Sequence, residues 1–288
     1  MKFSSLTGNS QKLDGGAMFG NAPKVLWEKW IKADDLNRIP LATKSLLVET
    51  ENHKILFETG IGSFMAPKYR ERFGVQENTH ILLEGLDDLG LSEKDITEIF
   101  LSHLHFDHAG GLLKSWEPEK PPELLFPHAR FFVSRNAWER ANYPHQRDRA
   151  SFIPDLNKRL QESGRLHIVE EDLVFHFDDL AIRQFISNGH TPGMICSDLR
   201  FNGHRLVVAA DLMPGMPWVH LPITMGYDRS PEQLIDEKKA LLISVVEDDA
   251  WVFFTHDNDV AVSKIIYDNE KKKFKPGKSF DKLVRQPL

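Results

Sequence analysis

The sequence predicts an α/β fold in which two β-sheets pack face to face with helices on the outside. Three observations predict it. Apolar residues make up 41% of 288, ample for a large core. Short apolar strand-like runs recur in both halves of the chain, and each half also carries helical segments. Several of those strands end on a histidine or a carboxylate, the edge at which α/β sheets place their chemistry. A single unit spanning 1–288 is expected, with residues 1–42 as an N-terminal extension and 114–165 as a helical insertion.

Residues 1–40 are the least regular part, punctuated by Gly15, Gly16, Gly20, Pro23 and Pro40. Phe19, Trp27 and Trp30 follow no period there, and Met18-Phe19 reads as a packed terminus, with a flap over a pocket as the alternative. Ser45 to Glu49 and Lys54 to Phe57 read as a hairpin turned by Glu51-Asn52-His53, with His53 its polar tip. In Glu58-Thr59-Gly60-Ile61-Gly62 the two glycines predict a close backbone approach. Glu58, at a strand end, is either an ordinary solvated carboxylate or the group that orients a metal-bound histidine from behind. Residues 64–73 and 78–90 read as helices, the second with a core stripe of Ile81, Leu82, Leu86 and Leu89.

Next comes the stretch that organises the chain, Ile99 to Leu112, IFLSHLHFDHAGGL. Ile99, Phe100 and Leu101 end a buried strand, and Asp107 to Gly111 form the turn that opens a helix. His103 and His105 fall on the same side while the chain is extended, so both imidazoles can close on one ion. Lys114 to Pro127 is a Pro-rich connection, Arg130 to Val133 a short strand, and Trp138 to Tyr143 and Phe152 to Glu162 are helical, with His145 and Arg147 in the polar loop between them. Further strands are expected at Leu166–Val169, Leu173–Phe177, Ala181–Ile186, Met194–Leu199, Leu206–Ala210 and Trp251–Thr255, and a helix at Pro231–Val246. Lys271-Lys272-Lys273 reads as the solvated tip of a hairpin.

Composition narrows the function. A formal charge of -6 disfavours a nucleic-acid partner, which calls for a basic face. No apolar run approaches membrane-spanning length and the N-terminus lacks an apolar leader region, so a soluble, cytoplasmic protein without a membrane partner is expected. Cys196 is the only cysteine, which removes disulfide frameworks and thiolate zinc sites. Any metal must be held by histidine and carboxylate.

Three further donors follow apolar runs. His190 sits on the Gly-Pro-Gly turn after Ile186, Asp211 ends Val207–Ala210, and His256 ends Trp251–Thr255. With His103, His105, Asp107 and His108 they make five histidines and two aspartates, too many for one tetrahedral ion and suited to two. Nitrogen and oxygen donors without sulfur favour Zn²⁺, with Mn²⁺, Co²⁺ or Fe as other occupants.

These residues resemble the metallo-β-lactamase superfamily, whose His-x-His-x-Asp-His motif is matched by His103, His105, Asp107 and His108 and whose later ligands are matched by His190, Asp211 and His256. The resemblance spans about residues 43–260. It implies an αβ/βα four-layer sandwich, one metal on His103, His105 and His190, a second on Asp107, His108 and His256, and Asp211 bridging both. LDGGAMFG and PKVLWEKW near the N-terminus, Asp211-Leu212-Met213-Pro214 and Met225-Gly226-Tyr227-Asp228 resemble the quorum-quenching lactonase branch, a neighbour of methyl parathion hydrolase. Two departures stand out. The family's Asp-Thr-Gly is here Glu58-Thr59-Gly60, and the branch's substrate-polarising tyrosine is here Pro214, leaving Tyr227 or His220 to take that role.

The implied activity is hydrolysis of a small-molecule ester, foremost a lactone such as an N-acyl-homoserine lactone, by a hydroxide shared between the two ions. Asp107 would pass a proton to the leaving oxygen. Phosphotriester or aryl-ester hydrolysis on the same site is the alternative, and a non-catalytic protein that retains metal for binding or regulation is the alternative from another class. Met18, Phe19, Met216 and Trp218 are either apolar pocket lining or ordinary packing. A homodimer is expected from the branch.

Overall fold

The structure, a computed structural model, describes residues 1–171 and 173–288. Its first half supplies strands β1 (Lys2–Thr7), β2 (Gln11–Asp14), β3 (Arg38–Leu41), β4 (Lys44–Glu49), β5 (Lys54–Phe57), β6 (Glu98–Phe100), β7 (Arg130–Ser134) and β8 (Leu166–Val169). Six of these form one sheet in the order β1-β4-β5-β6-β7-β8, and β2 and β3 pair as a separate ribbon. The hairpin of β4 and β5 is antiparallel, whereas β5 through β8 run parallel. The segment 114–165 thus contributes β7 to the sheet besides its helices.

The second half supplies β9 (Val174–Phe177), β10 (Leu180–Ser187), β11 (Met194–Phe201), β12 (His204–Val208), β13 (Trp251–Phe253), β14 (Val262–Asp268) and β15 (Lys273–Phe280). They form a second sheet in the order β15-β14-β13-β12-β11-β10-β9, antiparallel except for the parallel pair β12 and β13. Lys271 and Lys272 lie in the turn between β14 and β15, with Lys273 opening β15.

Alternation along the strands separates three apolar layers. Leu46 and Val48 of β4 face the other sheet, while Leu47 between them faces helices. Phe57, Phe100 and Phe132 are register partners on β5, β6 and β7, and their rings stack at 5.4 and 4.4 Å between centroids. The edge of Phe175, from the opposite sheet, meets Phe100 at 5.5 Å, an arrangement that aromatic quadrupoles favour. Outside the first sheet, helices Ile81–Asp87 and Pro154–Glu162 bury Leu82, Leu86, Leu156 and Leu160. Outside the second, helix Pro231–Glu247, opened by a proline at its first turn, buries Leu234, Leu241, Leu242 and Val245. The four layers are therefore αβ/βα, as the resemblance implies.

The N-terminus departs from expectation. Residues 2–7, placed in the irregular part of the sequence, form edge strand β1, paired with β4 in full register. Its alternation is hidden because Ser4 and Ser5 are buried, their hydroxyls taking backbone N–H groups of Arg285 and Leu283 from the C-terminal tail. Phe19, by contrast, packs as expected and forms no flap: it is fully buried, stacked between Trp27 at 5.3 Å and Trp218 at 4.7 Å.

The topology sends five strand ends to one edge. Parallel β5 and β6 end on Glu58 and on the run to His103, parallel β12 and β13 end toward Asp211 and His256, and β10 shares their direction and leads to His190. Among the described residues, no helix is long and apolar enough to cross a membrane.

Two glycines let the loops at this edge nest. Gly60 has φ +66° and touches Thr43 where a side chain would stand, and a Cβ on Gly111 would lie 2.0 Å from the carbonyl oxygen of Thr59. Gly111→Ala is expected to cost about 1–3 kcal/mol through forced backbone displacement, read as a lowered urea midpoint with an unchanged slope.

Candidate metal centre

The sequence-predicted donors meet. His103 Nε2 and His105 Nδ1 lie 2.9 Å apart, and His190 Nε2 is 3.3 Å from His105 Nδ1. On the other side His108 Nε2 and His256 Nε2 are 3.2 Å apart, with Asp107 Oδ2 3.8 Å from His256 Nε2. Asp211 lies between the groups, Oδ2 at 3.2 Å from His190 and Oδ1 at 3.3 and 3.1 Å from His108 and His256. His103, His105 and His190 form one set able to hold a metal, and Asp107, His108 and His256 form another. All five imidazoles are buried.

Local backbone puts the donors there. After β6 the chain bends at Ser102, is extended at His105 and then coils into the short helix Phe106–Ala109, which brings His108 back beside His103. Ser102 joins the two sheets at this edge, its carbonyl accepting the Ile195 N–H at 2.8 Å. Glu58 (φ +64°) and Ala210 (φ +46°) occupy the left-handed region that non-glycine residues avoid. Both lie at the site, one behind His108 and the other beside Asp211.

What stands behind each ring fixes which nitrogen is bare. Glu58 Oε2 lies 3.1 Å from His108 Nδ1, Asp228 Oδ1 lies 2.9 Å from His190 Nδ1, and the Ala42 carbonyl lies 2.7 Å from His256 Nδ1. A carboxylate and a carbonyl only accept, so the proton of each neutral imidazole sits on Nδ1 and the lone pair of Nε2 points inward. His108 and His256 then face each other lone pair to lone pair. Asp211 Oδ1 is buried and has no hydrogen-bond partner. Converging lone pairs beside an orphaned carboxylate oxygen are the donor set of a cation site, and the residues fit divalent metal.

The charges agree with this. Burial, together with the neighbouring imidazoles, holds His103 and His105 well below the ordinary histidine range. Burial also opposes charge on His108, but Asp211, Glu58 and Asp107 outweigh it and raise that ring well above its usual value. His190 and His256 are raised in the same way against burial, chiefly by Asp211. Burial would raise Asp211; the three rings around it overcome that and hold its carboxyl well below the usual range. The carboxylates that favour positive charge on these rings favour a cation among them for the same reason.

The centre floors a cleft of about 400 Å³ whose lining includes Gln11, Met18, Phe73, Phe106, Arg147 and Tyr227. Gln11 Nε2 donates to Asp107 Oδ2 at 3.0 Å. His220 is not brought here. The turn Met216–Val219 buries Trp218, whose Nε1–H donates to the Met18 carbonyl, and the chain then carries His220 to another cavity beside Trp30 and Lys273. Met216 lines that second cavity, so of the four apolar lining candidates only Met18 reaches the cleft. Asp228 and the Ala42 carbonyl escaped sequence reasoning, because both reach their rings from loops remote in the chain.

The layered fold and its histidine-rich edge define a metal-dependent hydrolase architecture. A family model described as the metallo-beta-lactamase superfamily matches residues 38–256, and the chain belongs to that superfamily, as a hydrolase. An N-acyl homoserine lactonase of a Bacillus species is 26% identical over 226 residues, covering 73% of this chain and 79% of the relative. A probable metal-dependent hydrolase from Staphylococcus aureus superposes with a TM-score of 0.84 at 27% identity, over 99% of this chain and 98% of that one. AidC, a dizinc quorum-quenching lactonase in complex with a product, shares the fold with a TM-score of 0.73 at 23% identity, over 96% and 94% of the two chains.

Glu58→Gln replaces an acceptor behind His108 with a group that can also donate. It is expected to weaken zinc or cobalt binding about 10- to 100-fold, measured by chelator competition; unchanged affinity would show that the ring is oriented by something else.

Proposed function

We propose that the protein hydrolyses an ester, foremost a lactone of the N-acyl-homoserine type, with two divalent cations, zinc first among them. His103, His105 and His190 would hold one, Asp107, His108 and His256 the other, and Asp211 would be shared. The observation that carries the proposal is the pair of donor sets joined by one carboxylate at the floor of a cleft with apolar walls. When bound, such ions supply an acidified water as nucleophile and Lewis-acid polarisation of an ester carbonyl.

The chain's own residues do the rest. Tyr227 lines the cleft with 43% of its surface exposed, and its partial burial, with the carboxylates of Asp107 and Asp14, raises its hydroxyl above the usual tyrosine value. It therefore remains a neutral donor at physiological pH, suited to the carbonyl oxygen of the substrate. This assigns to Tyr227 the role that the branch gives to a tyrosine at the position of Pro214, whose ring has no donor and whose carbonyl accepts the backbone N–H of His256 at 2.8 Å. Asp107, steadied by Gln11, faces the cleft and would take the proton that the attacking water gives up and pass it to the departing alkoxide. Phe73 and Phe106 wall both this cleft and an adjoining cavity of about 510 Å³ that includes Phe64, Tyr69 and Trp116, space for an apolar acyl group.

The test is a hydrolysis screen of zinc- or cobalt-loaded protein on homoserine lactones of several chain lengths, aryl esters and paraoxon-like phosphotriesters. Lactones are expected to give the highest kcat/KM. Tyr227→Phe is expected to lower it by on the order of 100-fold with metal content unchanged, and Asp211→Asn to lose both metal and turnover. A loaded, folded wild type that turns over none of these substrates would refute the proposal.

A further inference from the structure

Helix Pro231–Glu247 buries Leu234, Lys238, Leu241, Leu242 and Val245, the spacing of one apolar face. A lysine occupies that stripe where the period calls for a hydrophobe. Its side chain is 0% exposed, and among the described residues no carboxylate lies within 4.0 Å of its ammonium. Nζ donates instead to the carbonyl oxygens of Ile223 at 2.5 Å and His220 at 3.4 Å. Burial lowers its pKa to about 7, against the pull of Asp228. Burying an amine there costs free energy, which the two carbonyl contacts offset by fixing Nζ against the 220–223 segment.

The role is visible in what the loop carries. Residues 220–228 include Tyr227 and Asp228, and Asp228 meets His190 Nδ1 with one oxygen while accepting the Met225 N–H with the other at 2.6 Å. The preceding helix residue treats the opposite loop alike. Glu237 accepts the Ser187 hydroxyl at 2.6 Å and the backbone N–H groups of Asn188 and Gly189 at 3.0 and 3.1 Å. Gly189 packs so tightly on the same helix that a Cβ would stand 2.4 Å from Leu234 Cα. Two consecutive side chains of one helix thus hold the two loops that meet at His190, one loop bearing the ring and the other its acceptor.

We propose that Lys238 is a positioning residue for the metal centre, tying down the 220–228 loop so that Asp228 stays set against His190 and Tyr227 stays in the cleft. The proposal rests on His190 being a metal ligand. Lys238 touches neither metal nor substrate; it acts through the loop.

The experiment compares the full chain with Lys238→Met, which suits the apolar stripe, and Lys238→Gln, which keeps a donor. Cobalt(II) affinity is read by chelator competition, KM and kcat on N-hexanoyl-homoserine lactone, and folding by the urea midpoint of chelator-treated protein. Lys238→Met is expected to weaken cobalt binding about tenfold and to raise KM more than it lowers kcat, with partial recovery in Lys238→Gln. Added to Asp228→Asn, it is expected to cause little further loss of affinity, because both act on one ring. Wild-type cobalt affinity in both lysine variants would overturn the proposal whatever the midpoint, as would full additivity with Asp228→Asn. A wild type that binds no cobalt would overturn the ligand assignment beneath it, whereas one that binds cobalt but spares the lactone would count against the proposed substrate and leave the affinity comparison decisive.

Discussion

Three imidazoles at one edge of this molecule have their protons pinned on the side away from one another. Glu58, Asp228 and the Ala42 carbonyl accept hydrogen bonds from those N–H groups, and the lone pairs of His108, His190 and His256 are left facing a buried aspartate. Such an arrangement repels itself unless a cation or protons fill it. The rest of the fold serves to bring the three acceptors and the seven donors to one place and keep them there.

Parallel strands make that convergence possible. Strands that run in one direction end at one edge, so β5, β6, β12 and β13 deliver their last residues together, and the stacked phenylalanines of the first sheet meet Phe175 of the second in the layer between them. Strain is tolerated at the same edge. Glu58 and Ala210 each hold a backbone conformation costing about 1–3 kcal/mol, offset by burial on both sides of the sheets. One additional methylene at Glu58, relative to the family's aspartate, does not break the contact with His108: the same carboxylate reaches Ser102 N–H at 2.9 Å and the ring at 3.1 Å.

The convergence of the seven side chains was legible because the runs that carry them follow apolar strands, and the period-2 and 3.6-residue patterns located most elements to within a few residues. Strand β1 was not, since its inward serines are satisfied by the far C-terminal tail rather than by an apolar neighbour. Glu58 was legible as one of two readings, being at a strand end, whereas Asp228 lies in a quoted motif to which no contact could be assigned without knowing which loops meet. Of the two residues offered for the tyrosine's role, His220 lies outside the cleft for a related reason: a buried tryptophan two residues earlier turns the chain away. Lys238 did leave a signal, a charge on an otherwise apolar helical stripe, but its partners are carbonyls that no sequence pattern marks.

The account is tested most directly by crystals soaked in zinc and measured with anomalous diffraction at the zinc edge. It predicts two peaks, one among His103, His105 and His190 and one among Asp107, His108 and His256, with an Asp211 oxygen toward each. A fully soaked crystal with neither peak, or with zinc bound elsewhere while these rings keep their present contacts, would contradict it.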